Sequence, residues 1–102
     1  MIEIGSTETF KKVIHHHKLI VVDFYAVWCG PCKVIAPRLE GFSKTYTDAV
    51  FVKVDVDSLK DVAAEYQIRA MPTIMFFKNG QKLGEVVGAD LKEIEASIQR
   101  FV

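Results

Sequence analysis

The sequence predicts an α/β fold built on a mixed sheet, and three observations predict it. Leu19–Tyr25 is apolar on both alternating faces apart from Asp23, which is how a central parallel strand reads when helices cover both sides of its sheet. A helical pattern follows it to about Tyr46 and leads into a second apolar strand, Val50–Val56, so strand, helix and strand close as a right-handed parallel crossover. Asn79-Gly80 then separates two strand-like runs and marks a β-hairpin, which makes the second half of the sheet antiparallel. With 102 residues, 50% of them hydrophobic, the chain 1–102 reads as one domain with a single core.

Taken in order, Ile2–Ile4 forms a short edge strand, and Ser6 caps a helix whose inward stripe is Phe10, Val13 and Ile14. His15-His16-His17 ends that helix. Adjacent residues do not share a helix face, so a solvated helix end describes them better than a metal site. In the long helix, Ile35, Leu39, Phe42 and Tyr46 keep helical spacing, while Pro37 removes a hydrogen bond and is expected to bend it. Val50, Val52, Val54 and Val56 share one face of the next strand, with Lys53 opposite. Asp55 and Asp57 mark its end running into a turn, since nothing nearby completes a metal site. Ser58 and Asp61 approximate a capping box for a short helix buried through Leu59, Val62, Ala63 and Tyr66. Pro72 starts the strand Thr73–Phe77. The bond before it is more often trans, and a cis bond would present the Met71 backbone to a partner strand. Lys82–Val87 completes the hairpin, Gly88 permits close backbone approach, and Asp90 with Glu93 opens a last helix whose inward residues are Leu91, Ile94, Ile98 and Phe101.

Lysine plus arginine and aspartate plus glutamate number 13 each, so no net field draws the chain to nucleic acid or an anionic membrane. The N-terminus lacks the basic and apolar regions of a secretory signal, and no apolar run reaches the length of a membrane span, which points to a cytoplasmic protein. In a reducing compartment a lone C-x-x-C is catalytic or metal-binding rather than a structural staple.

The chemistry centres on Trp28-Cys29-Gly30-Pro31-Cys32, which holds both cysteines. Two cysteines three apart on a helix's first turn lie about 5 to 6 Å apart at Cβ, near disulfide range, and can open and close with little backbone movement. Cys29 falls at the helix entrance, where unpaired N–H groups and the positive dipole end favour a thiolate, while Cys32 is expected further inside and less accessible. Cys29 is therefore the nucleophile and Cys32 the resolving thiol. So small a loop gives the bond little structural value. Asp23, a carboxylate in an apolar strand, is a candidate proton acceptor or donor for a nearby thiol; the alternative is a strand-end aspartate bonded to loop N–H groups. Lys53 is either an exposed lysine or a neighbour that tunes Asp23.

Taken together, Asp23-Phe24-Tyr25-Ala26, Trp28-Cys29-Gly30-Pro31-Cys32, Ala36-Pro37, Lys53-Val54-Asp55-Val56-Asp57, Ala70-Met71-Pro72-Thr73, Phe77-Lys78-Asn79-Gly80 and Val87-Gly88-Ala89 closely resemble the thioredoxin family over essentially the whole chain. The resemblance implies the thioredoxin fold, a mixed five-stranded sheet flanked by four helices, with Pro72 in cis. It implies a general protein disulfide reductase without a bound cofactor other than its own Cys29–Cys32 disulfide, and reduced by an NADPH-dependent, flavin-containing thioredoxin reductase. Its implied substrates are disulfide-containing proteins such as peroxiredoxins, ribonucleotide reductase and methionine sulfoxide reductase, met by a monomer. By position, Cys29 attacks, Cys32 resolves, and Asp23 with Lys53 manages the proton near Cys32. Trp28, Gly30, Pro31, Met71, Pro72, Gly88 and Ala89 line a surface for an extended substrate segment, although Met71 could simply fill the core and Trp28 support the active-site turn. Val27 departs from the family, which often has a small polar residue there. Proline rather than histidine between the cysteines favours a reductant over an oxidant or isomerase. Two rival functions stand beside this one: a binding subunit that holds partners on the Trp28 and Pro72 surface without turnover, and a zinc module joining Cys29 and Cys32 to two of His15, His16 and His17.

Overall fold

The computed structural model describes residues Met1–Val102 and contains nine elements. They are β1 (Ile2–Glu3), α1 (Thr7–Val13), β2 (Leu19–Tyr25), α2 (Gly30–Thr45), β3 (Ala49–Asp55), α3 (Lys60–Glu65), β4 (Thr73–Lys78), β5 (Gln81–Val87) and α4 (Leu91–Phe101). The sheet has the order β1-β3-β2-β4-β5, with β1, β3 and β2 parallel and β4 and β5 antiparallel. This is the mixed five-stranded sheet with four helices that the sequence implies.

Because side chains alternate along a strand, the sheet sorts its apolar residues to two faces. Ile20, Val22 and Phe24 of β2 join Phe10, Ile14, Leu59 and Val62 on the side of α1 and α3. Leu19 and Val21 join Ile35, Leu39, Phe42, Ile94 and Ile98 on the side of α2 and α4. Asp23 continues the second series, so its carboxyl points toward the face that α2 covers. Phe10 anchors the first side, its ring centroid 6.0 Å from those of Phe24 and Phe77 and 5.6 Å from Tyr66.

The hairpin turns on Asn79 and Gly80, both with positive φ (55° and 83°), the left-handed pair that a two-residue loop needs to match strand twist. The backbone after α1 docks there. Asn79 N–H donates to the His16 carbonyl and Gly80 N–H to that of Ile14, and a side chain at position 80 would meet the His15 ring at 2.6 Å. The three histidines are exposed, as expected of a solvated helix end.

One local expectation is corrected. Ser58 does not cap α3: Leu59 holds the N-cap position without a side-chain bond, because the turn that closes when the Ser58 and Leu59 N–H groups donate to the Asp55 carbonyl leaves Ser58 exposed. Asp61 instead accepts from Thr7 Oγ1 at 2.6 Å and ties α3 to α1. The Met71–Pro72 bond is cis, the rarer of the two states weighed from the residues and the one that the family resemblance implies. The helix-start signal in the last segment is borne out, with Asp90 Oδ1 accepting from Glu93 N at 3.1 Å. Asp90→Ala is expected to lower stability by about 1 kcal/mol in urea titration, the usual contribution of an N-cap; no change would mean that water replaces the cap.

Candidate active site

β2 ends at Tyr25, and a short turn carries the chain into α2. Cys29 N–H donates to the Ala26 carbonyl at 3.1 Å, which closes the turn and leaves Val27 and Trp28 exposed. Cys29 is the N-cap residue in extended conformation (φ −87°, ψ 114°), and its sulfur accepts from Cys32 N at 3.2 Å. Gly30 and Pro31 fill the first helical positions, where a missing proline N–H does no harm because those N–H groups lack intrahelical partners anyway. Cys29 and Cys32 form a disulfide with Cα atoms 5.4 Å apart, in the ordinary range for such bonds.

The expected difference in access does not appear in this oxidised state. Cys29 is 5% and Cys32 4% exposed. In the disulfide the Cys29 sulfur lies at the first turn of α2, where it accepts the Cys32 N–H. The two sulfurs differ instead in what they face. Cys29 Sγ lies 3.6 Å from the Met71 carbonyl oxygen, on the side of the exposed Trp28. Cys32 borders a cavity of about 260 Å³ whose walls include Asp23, Tyr25, Lys33 and Lys53.

Asp23 is 5% exposed, and its Oδ1 has no hydrogen-bond partner. Burial pushes its pKa up to about 7, with Lys53 pulling the other way and Glu3 adding a smaller upward push. Lys53 stands directly beside it, in register across β2 and β3, yet its side chain is 42% exposed and its nearest carboxylate is Glu3 at 4.0 Å. Both alternatives for Lys53 therefore hold: it is partly exposed, and it is the neighbour of Asp23.

Around Cys29, Trp28 is 66% exposed and its Nε1–H donates to Asp57 Oδ2 at 2.9 Å, which holds the indole over the turn after β3. Gly30, Pro31 and Ala89 are exposed, and Met71 and Gly88 are half-buried. Pro72 corrects its expectation as a surface residue: it is buried, with its carbonyl accepting from Gly88 N at 2.8 Å. That bond draws the chain after β5 against the Met71–Pro72 segment, and Gly88 permits it with φ of 97°. Asp57, read from sequence only as a turn residue, was missed as the partner of Trp28; its short acceptor side chain just after a strand was the available signal. Glu3 and Tyr25 were missed as neighbours of Lys53, and no local signal marks them.

The grouping of both cysteines with the histidines is not formed. Cys29 lies by the segment entering β4, while His15 packs at the turn leaving it, and a six-residue strand separates its ends by roughly 16 to 20 Å.

The family profile named Thioredoxin matches residues 1–100. The chain belongs to the thioredoxin family. It is 52% identical over 97 residues to thioredoxin-1 of Schizosaccharomyces pombe, covering 95% of this chain and 94% of that one. The solved structure of Plasmodium falciparum thioredoxin matches all of both chains with a TM-score of 0.96 at 40% identity. A structure from a study of thiol resolution in yeast mitochondrial 1-Cys peroxiredoxin via the glutathione and thioredoxin systems matches with a TM-score of 0.93 at 37% identity, covering 98% of this chain and 94% of the other. As a thioredoxin, the chain is a thiol–disulfide oxidoreductase, and its redox group is the intrinsic Cys29–Cys32 pair.

Proposed function

We propose that this thioredoxin is a general protein disulfide reductase, a cytoplasmic dithiol donor in electron transport and redox homeostasis. The observation that carries the reading is the division of the pair: Cys29 faces the Met71 carbonyl beside exposed Trp28, while Cys32 faces the cavity of Asp23. In the reduced protein the Cys29 thiolate attacks one sulfur of a substrate disulfide, forming a mixed disulfide and releasing the other sulfur as a thiolate that takes a proton. Asp23 then accepts the Cys32 proton, and the Cys32 thiolate attacks Cys29 Sγ. The internal disulfide forms, and the substrate leaves as a dithiol. Two electrons have moved, and thioredoxin reductase returns them from NADPH.

An extended substrate segment would lie along Trp28, Gly30, Pro31 and Met71, with Gly88 and Ala89 opposite and Pro72 packed beneath. Peroxiredoxins are one substrate class, in keeping with the system named for the yeast structure; ribonucleotide reductase and methionine sulfoxide reductase are others, and the protein acts as a monomer.

The test is a redox titration of Cys29 and Cys32 with trapped thiols counted by mass. The pair is expected to stay oxidised in a glutathione buffer and to open with dithiothreitol or with thioredoxin reductase and NADPH. Ready reduction by glutathione would make the protein an oxidant or isomerase instead.

A further inference from the structure

Three ionisable side chains stand in one row across the sheet. Glu3 of β1 is in register with Lys53 of β3, and Lys53 is in register with Asp23 of β2. In parallel strands, residues paired this way project from the same face, so an ammonium lies between two carboxyl groups. The row is not symmetric. Lys53 Nζ comes to 4.0 Å of Glu3 Oε1, no ion pair of that length joins it to Asp23, and Asp23 Oδ1 stays unpartnered. Tyr25 fixes the outer end: its hydroxyl donates to Glu3 Oε1, and Lys53 Nζ lies 5.7 Å from its ring centroid.

We propose that Glu3 is a positioning residue for the exchange reaction, holding the Lys53 ammonium on the solvent side of the row so that Asp23 remains a free carboxyl for proton exchange with Cys32. This rests on the proton role given to Asp23 above. Lys53 lowers the proton affinity of Asp23, and Glu3 opposes it in two ways, by its own negative charge and by drawing Lys53 away. The other ionisable groups near Asp23 are Tyr25 on its own strand, Asp55 on β3, and Cys32 and Lys33 on α2. The Tyr25 hydroxyl is pushed up by burial and by its bond to Glu3, so it stays protonated and keeps donating. β4 presents Ile74 opposite Asp23 and contributes no charge.

Without Glu3, Lys53 is free to turn inward and pair with Asp23. In the wild type, Glu3→Gln and Lys53→Met, the Asp23 carboxyl is followed by carbon NMR against pH, and release of a chromogenic thiol by Cys32 is timed by stopped flow over the same range. Glu3→Gln is expected to move both midpoints to lower pH by about half a pH unit or more, and Lys53→Met to move both upward. A Glu3 that merely braces the edge strand would change stability and leave the Asp23 midpoint in place, and that result overturns the proposal. If instead the midpoint moves as expected but Asp23→Asn has the wild-type rate profile, the failure lies in the proton role of Asp23 and not in the row.

Discussion

Cys32→Ser is expected to hold its substrates as lasting mixed disulfides and Cys29→Ser to hold none, with turnover lost in both by roughly three orders of magnitude or more. The physical ground is the position of each sulfur. Cys29 is the N-cap residue of α2, where unpaired N–H groups and the helix dipole stabilise a thiolate; in the disulfide its sulfur already accepts the Cys32 N–H. It also lies 3.6 Å from the Met71 carbonyl, at the foot of the exposed surface. Cys32 sits three residues into the helix against the Asp23 cavity, so it reaches Cys29 more readily than it reaches a partner protein. Removing it leaves attack intact and abolishes escape. Incubating each variant with a disulfide-bonded protein and counting trapped adducts by mass reads this directly. Adducts on Cys29→Ser but not on Cys32→Ser would reverse the assignment of the two thiols.

Asp23→Asn is expected to separate stability from catalysis. In the native state the carboxyl holds its proton up to about pH 7, whereas in the unfolded chain it releases it near 3.8. Between those values the native protein binds more protons than the unfolded one, so the stability of the wild type falls as pH rises from about 4 to about 7 and is level above that. Asparagine, neutral throughout, escapes that loss. The variant should match the wild type below pH about 4 and exceed it by on the order of 4 kcal/mol above pH 7, read as a gap between urea midpoints at pH 8 and none at pH 3. Resolution of the mixed disulfide should slow about 100-fold near neutral pH and lose its inflection near 7, because Cys32 then has no adjacent base. An unchanged pH–rate profile would remove Asp23 from the mechanism. Equal stability at pH 8 would mean that the carboxyl is charged without penalty in its cavity.

Much of this was legible in the residues. Leu19–Tyr25, the long helix after Cys29, the Asn79-Gly80 turn and the Asp90 cap are local signals. Each depends on side-chain periodicity or on a backbone preference acting over a few residues, so neighbours in sequence suffice to specify it. The adjacency of Cys29 and Cys32 is local in the same sense, since one helical turn sets it. The Ser58 and Asp61 pattern failed for the converse reason: the cap it suggested competed with a turn bonded to Asp55 and with a bond from Thr7, a residue 54 positions away.

By itself, then, the sequence determined the order of elements, the mixed sheet and the paired thiols at a helix start. Tertiary structure alone decided what those thiols face. That Lys53 stands beside Asp23, that Glu3 completes their row, that Asp57 holds Trp28 and that Pro72 is buried under the Gly88 bond all follow from strand register and loop packing. Register is set by the fit of whole apolar faces between strands about 30 to 50 residues apart, and a slip of one residue in β3 would turn Lys53 to the other face of the sheet, away from Asp23 and Glu3.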